Sequence, residues 1–186
     1  MIQEPGTQGS DPAPCALCAA AGNSCCRTEP DLAQLIFPLS PAERQRLDAA
    51  RDRTDDEAPP WAARPNTKDF IHAAHALFPR DKKRIDELFP PGGEHWSLRL
   101  HPDGTCVFLG EEGCRLPRAF RPGYCLLFPA WVVGGMLTLF FPQNCLMARE
   151  GPARCAGLMG TDKAGLCLIY ARLRREWGLA QMPQCG

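Results

Sequence analysis

The residues in this chain with chemistry in them are its cysteines, eleven in 186 positions. Cys15, Cys18, Cys25 and Cys26 crowd into one short stretch, CALCAAAGNSCC, and the last two are neighbours. Far downstream, Cys106, Cys114 and Cys125 occur in CVFLGEEGCRLPRAFRPGYC, where glycines and prolines bend the backbone beside each thiol, and Cys145 follows the next apolar run. Thiolates presented on tight turns are the knuckle ligands of a sulfur-rich metal site. Eight thiols in two turn-rich groups are a poor core filler, so the expectation is that the two groups converge. They exceed the four needed by one zinc ion, which leaves room for an iron ion, a 4Fe-4S cluster or a second Zn.

The compartment decides how many cysteines are read as ligands. The opening MIQEPGTQGSDPAP lacks the basic and apolar regions of a secretory signal, and no apolar run approaches the length of a spanning helix. A soluble, cytoplasmic protein is expected, and a reducing thiol pool turns dense cysteines toward metal or redox chemistry rather than a disulfide framework. Lys plus Arg balance Asp plus Glu at 21 each, so no long-range field attracts nucleic acid or an anionic membrane. The expected partner is a metal ion or cluster.

The elements that must position these thiols are short. Residues 1–14 read as a disordered lead-in and 15–186 as one metal-binding domain. Ser40, Pro41 and Glu43 make a capping box for a helix over about 41–53. TDDEAPPWAARPN reads as a proline-broken connection with Trp61 pinned to the body. Thr67 caps a helix whose apolar face carries Phe70, Ala73, Ala74 and Leu77, and DKKRIDELF gives another short helix. The period then changes from helical to alternating. HWSLRLHPDGTCVFL predicts a hairpin about Asp103-Gly104, and AWVVGGMLTLFF a second about Gly134-Gly135. A last helix over about 162–177 starts at Thr161. The fold class is therefore α+β: a small irregular domain of several short helices and two β-hairpins organised around a cysteine-rich metal site.

The remaining candidates have plainer readings. Cys167, inside GLCLIY, and Cys155 suit small buried hydrophobes, and Cys185 an exposed thiol. His72 and His75 suit a polar helix edge, while His95 and His101, flanking the expected first hairpin strand, are reserve ligands. CALC also matches a dithiol redox pair, but SDPAP supplies no preceding strand, so a dithiol redox protein ranks last. No Walker loop, dinucleotide fingerprint or nucleophile elbow is present.

From Cys15 to about Cys145 the chain resembles the CxxCxxCC family, the zinc- or iron-chelating domain of cysteine cluster proteins. The resemblance is carried by Cys15, Cys18 and the Cys25-Cys26 pair, CVFL, the glycine before Cys114, RPGYC with Arg121, Pro122 and Cys125, Phe128-Pro129, and Cys145 after a hairpin. The chain departs from the family pattern in having AAAGNS between Cys18 and Cys25, where the family has two residues. The resemblance implies metal chelation through the cysteines, with Arg121 offsetting the negative charge of thiolate ligands from the shell behind them. Phe108, Tyr124 and Phe128 are placed to form an apolar wall around the sulfurs. Relatives linked to lysine methylation with an iron-sulfur cluster make a group-transfer, specifically methyl-transfer, enzyme the alternative.

Overall fold

The computed structural model describes residues 13–22, 25–29, 32, 37–51, 58–140, 145–147, 151–181 and 185, without the side chains of 13–15, 152 and 153. Most of the expected lead-in lies outside these residues, and the first helix, α1 (Ala13–Ala20), starts within its last two positions. Then come α2 (Pro41–Asp48), β1 (Trp61–Pro65), α3 (Lys68–Leu77), α4 (Lys82–Leu88), β2 (Glu94–Leu98), β3 (Leu109–Gly110) and β4 (Gly113–Cys114). The chain continues with α5 (Gly123–Leu127), β5 (Ala130–Val133), β6 (Met136–Leu139), α6 (Pro152–Leu158) and α7 (Lys163–Glu176). The architecture is α+β, with short helices around antiparallel pairs β1-β2, β3-β4 and β5-β6. No helix among the described residues is long and apolar enough to cross a membrane.

Local chemistry accounts for most boundaries. At α2 the capping box forms in full: Ser40 Oγ accepts from Glu43 N, and Glu43 Oε2 accepts from Ser40 N at 2.8 Å. Thr67 Oγ1 caps α3 by accepting from Phe70 N. The α7 cap is Asp162 rather than the expected Thr161, because the Asp162 carboxylate accepts from Gly165 N at 2.7 Å. Gly134 and Gly135 take positive φ of 62° and 92° between Val133 and Met136, the register that joins β5 to β6 as expected.

The first hairpin forms but is shorter than expected: Gly104 makes the turn with φ 81°, His101 N donates to Thr105 O, Leu100 bridges Cys106, and the pairing ends where Val107 N donates to Arg99 O. β2 pairs instead with β1, Trp61 opposite Leu98 through Pro65 opposite Glu94. WAARP lacks the alternation of a strand, and its pairing is set by the distant β2. Arg44 on α2 then lies over both indoles of that sheet, 4.2 Å from Trp61 and 4.3 Å from Trp96, a cation–π clamp that fixes α2 to it.

Two cores result. The larger gathers α3, α4, α5, β5, α6 and α7 around Trp131, which is fully buried and donates Nε1–H to Leu77 O. The smaller holds Leu39, Leu47, Ala50, Cys106, Val107, Phe108 and Leu116, with Cys26 and Cys114 packed against it. α5 lies between them: Tyr124 stacks on Phe37 of the larger core, while Cys125 faces the electrostatic neighbourhood of Cys106 and Cys114.

Cys167 and Cys185 correct the plainer readings given to them. They form a disulfide that ties residue 185 back to α7, so Cys167 is not a core thiol and Cys185 is not an exposed one. Spacing alone does not reveal such a pairing.

Buried His95 makes the larger core sensitive to acid. Its ring stacks on Phe70 at 3.7 Å, and its Nδ1 lies 3.0 Å from Asn66 Oδ1. The Asn66 amide nitrogen already donates to Pro90 O, so Asn66 Oδ1 is the acceptor and His95 Nδ1–H the donor. A second proton would enter at Nε2, a buried atom with no partner. Burial, reinforced by Arg64, lowers the His95 pKa to about 4. The unfolded chain therefore takes up this proton first, and stability present above pH ~6.5 is lost as pH falls through about 4, amounting to about 3 kcal/mol. Urea midpoints of the metal-free chain between pH 7 and 4 should fall more steeply for wild type than for His95→Gln. Parallel profiles would contradict this assignment.

Candidate metal centre

A backbone ladder brings the two cysteine groups together. Cys106 N donates to Cys26 O at 2.7 Å, Arg27 bridges Thr105, and Thr28 N donates to Gly104 O at 2.9 Å. The ladder requires glycine at 104, because a Cβ there would collide with the Thr28 carbonyl oxygen. Residues 26–28 thus line the edge of 104–106 opposite the one that pairs with residues 99–101.

The chain between Cys106 and Cys114 is a tight knuckle. Leu109 N donates to Cys106 O, β3 and β4 pair Leu109 with Cys114, and Arg115 N returns to Phe108 O at 2.8 Å. Gly113, at φ 104°, lets the chain reverse just before Cys114. α1 packs against β4, which puts the helix bearing Cys15 and the buried Cys18 beside the knuckle.

Cys125 is delivered by α5, and α5 is held by a contact that sequence reasoning missed. Glu43 Oε1 accepts from Gly123 N at 2.7 Å, while its Oε2 satisfies the α2 cap. One buried carboxylate therefore joins the N-terminus of α2 to that of α5, two residues before Cys125. The capping box made Glu43 legible as a cap, but nothing local signals its second partner. Gly123 also lets α5 approach α7 closely, since a Cβ would lie 3.1 Å from Leu173 Cδ1. Arg46 completes this corner by pairing with Glu176 at 2.9 Å.

The electrostatics show which thiols are neighbours. The Cys26 thiol is pushed well above its usual range, first by its hydrogen bond with Cys25, then by burial and by Cys25, Cys106 and Cys125. Burial raises Cys106 to about 12, with Cys114 and Cys25 adding to the rise. Cys125 is raised chiefly by burial and then by Cys106, Cys114 and Cys25. Part of the Cys125 residue reaches the surface, while its thiol lies in dense surroundings. Thiolates this close repel one another, and a cation among them would relieve that repulsion.

Cys25, Cys26, Cys106, Cys114 and Cys125 thus share one locus drawn from three separate segments. The donors suit a thiophilic metal. They are not preset as a cage: among the described residues, no three or more His, Cys, Asp and Glu side chains are posed to hold an ion. Metal binding would have to close the sulfurs inward.

The other candidates fall elsewhere. Cys145 packs against the larger core and is an electrostatic neighbour of Cys155. The Cys15 side chain lies outside the described residues, although its backbone is in α1. His95 is buried between Phe70 and Asn66, and His75 Nε2 lies 2.8 Å from Asp86 Oδ1. His72 is exposed on α3, and His101 belongs to the turn that passes its N–H to Thr105 O.

Arg121 is buried behind the knuckle, where its Nε donates to Leu116 O at 2.7 Å and Nη2 to Cys114 O at 3.2 Å. The planar guanidinium thereby fixes the carbonyls on both sides of Arg115 and holds Cys114 in place. Of the expected wall, Phe108 packs with Cys106 in the smaller core, and Tyr124, stacked on Phe37, is an electrostatic neighbour of Cys125 and Cys25, whereas Phe128 stacks toward Phe140. Arg121→Lys keeps the charge and loses the fork, and should cost about 2 kcal/mol in urea unfolding. Unchanged stability would remove Arg121 from this positioning role.

Comparison with protein-family models, with curated proteins and with solved structures returns no match for this chain.

Proposed function

We propose that this protein is a metal-chelating cysteine cluster protein, akin to the CxxCxxCC family it resembles, that binds iron or Zn through cysteine thiolates. Cys25, Cys26, Cys106, Cys114 and Cys125 are the principal ligands, with Cys15 and Cys18 on α1 at their flank. The observation that carries this reading is the mutual electrostatic influence of these five thiols across the 26–106 ladder. Crowded thiols raised by their neighbours are a costly arrangement for an inert core and a useful one for a cation.

The bound metal supplies the positive charge that makes the assembled thiolates stable. The chain's own work is to present them: the ladder sets Cys26 against Cys106, Arg121 fixes Cys114, and Glu43 aims α5 with Cys125. Thiol protons leave to solvent as sulfur engages metal, because the thiolate is the ligand. Iron is favoured over Zn on the resemblance to the CxxCxxCC family, since a cluster and a zinc ion each use four thiolates.

Protein purified without oxygen and assayed for iron, zinc and acid-labile sulfide tests the reading. Iron with matching sulfide and a brown colour supports a cluster, iron alone an ion site, and stoichiometric zinc in a colourless sample a zinc site. A folded chain with neither metal overturns chelation.

A further inference from the structure

A second group of sulfur atoms lies outside the site described above. Cys155, in α6, is fully buried, and its Sγ is 3.7 Å from Met159 Sδ one helical turn later. Cys145 packs against the same core, close enough for its charge to act on the Cys155 thiol. Met147, two residues beyond Cys145, is buried in that core as well. Two thiols and two thioethers from one short stretch of chain, C-x-M-x7-C-x3-M, are therefore drawn into a single apolar region.

This donor set selects its own ligand class. A thioether is a poor donor to hard cations, and carboxylate, carbonyl and water ligands are what Mg and Ca require. Mixed thiolate and thioether donors suit the soft, closed-shell Cu(I) ion. Its single positive charge also suits the site: one thiolate neutralises it, so the complex enters an apolar core without net charge. The plainer account, a buried cysteine as a small hydrophobe, explains Cys155 alone but not its contact with Met159 and its proximity to Cys145.

We propose that Cys145, Cys155 and Met159, with Met147 buried in the same core, form a second metal site that takes a monovalent soft cation of the Cu(I) class. The site goes beyond the chelation reading above and draws Cys145 out of the first cluster. Binding moves no electrons: Cu(I) enters, a copper–sulfur bond replaces the sulfur–hydrogen bond of one of the two thiols, the displaced proton goes to solvent, and the other cysteine stays a neutral thiol donor.

The test titrates anaerobically purified full-length protein, its first site filled as isolated, with Cu(I) in competition with a bicinchoninate chelator. Wild type should take up one Cu(I) equivalent whose affinity falls at least tenfold in both Cys155→Ala and Met159→Leu. Leu nearly preserves the volume of Met, so the second variant removes the thioether donor while keeping the core packed, and far-ultraviolet circular dichroism confirms its fold. Cu(I) affinity in Met159→Leu equal to that of wild type overturns the proposal, as does loss of iron or zinc from the first site in that variant. Because Met159 lies outside the five-thiol locus, unchanged copper binding would leave the chelation reading standing.

Discussion

Cys125→Ser is expected to lose most of the bound metal and about 4 kcal/mol of stability, roughly 10 °C in Tm for a chain of this size. Structural zinc contributes about 10 to 16 kcal/mol of apparent binding free energy in small zinc domains, against a net stability of ~5 to 15 kcal/mol for typical domains. Removing one ligand weakens that term without abolishing every remaining contact. Serine keeps the size of cysteine, so the loss reports on the sulfur rather than on a cavity. Cys185→Ser supplies the contrast. It opens a disulfide separated by 18 positions and should cost about 3 kcal/mol on the chain-entropy account, yet leave metal content unchanged. Both variants soften the protein, and metal content alone separates a ligand from a cross-link. Equal metal loss in the two would erase that distinction.

Glu43→Gln is expected to cost about 3 kcal/mol and to weaken metal retention, although Glu43 lies on a different element from every cysteine. Both carboxylate oxygens accept buried backbone hydrogens, one from Ser40 and one from Gly123. An amide offers one acceptor and sets its NH₂ against the other donor, leaving a buried N–H unsatisfied. The α5 terminus then loses the bond that aims Cys125. The measurements are the urea midpoint and the rate of metal loss to a chelator. A midpoint within about 0.5 kcal/mol of wild type, a typical surface-substitution effect, would contradict the positioning role.

Features set by local chemistry were legible in the sequence. Ser40 and Glu43 announced α2, Thr67 announced α3, and Gly134-Gly135 announced the β5-β6 turn, because each signal lies within a few residues of its effect. Features set by distant pairing were not. WAARP reads as a connection until β2 is beside it, and nothing near Asp103-Gly104 signals that residues 26–28 line the other edge of its hairpin. The same division runs through the site. Turn-rich sequence around Cys106, Cys114 and Cys125 signalled convergence, whereas the partition of Cys145 toward Cys155 depends on the packing of α6, and the Cys167–Cys185 bond on where the chain returns after α7. Glu43 belongs to both classes, a cap by sequence and a tether by fold.

The central claim is that five thiols act as one metal centre, and residue-resolved alkylation tests it most directly. Anaerobic native protein is treated with iodoacetamide before and after the metal is stripped with a chelator, and each modified cysteine is read by mass spectrometry. The account predicts that Cys25, Cys26, Cys106, Cys114 and Cys125 are protected together and become reactive together when the metal leaves, while the Cys167–Cys185 pair stays unmodified in both samples. Cys25, which lies at the surface, is the sharpest indicator, since burial alone does not shield it. Alkylation of Cys25 at the same rate with and without metal would contradict the shared centre.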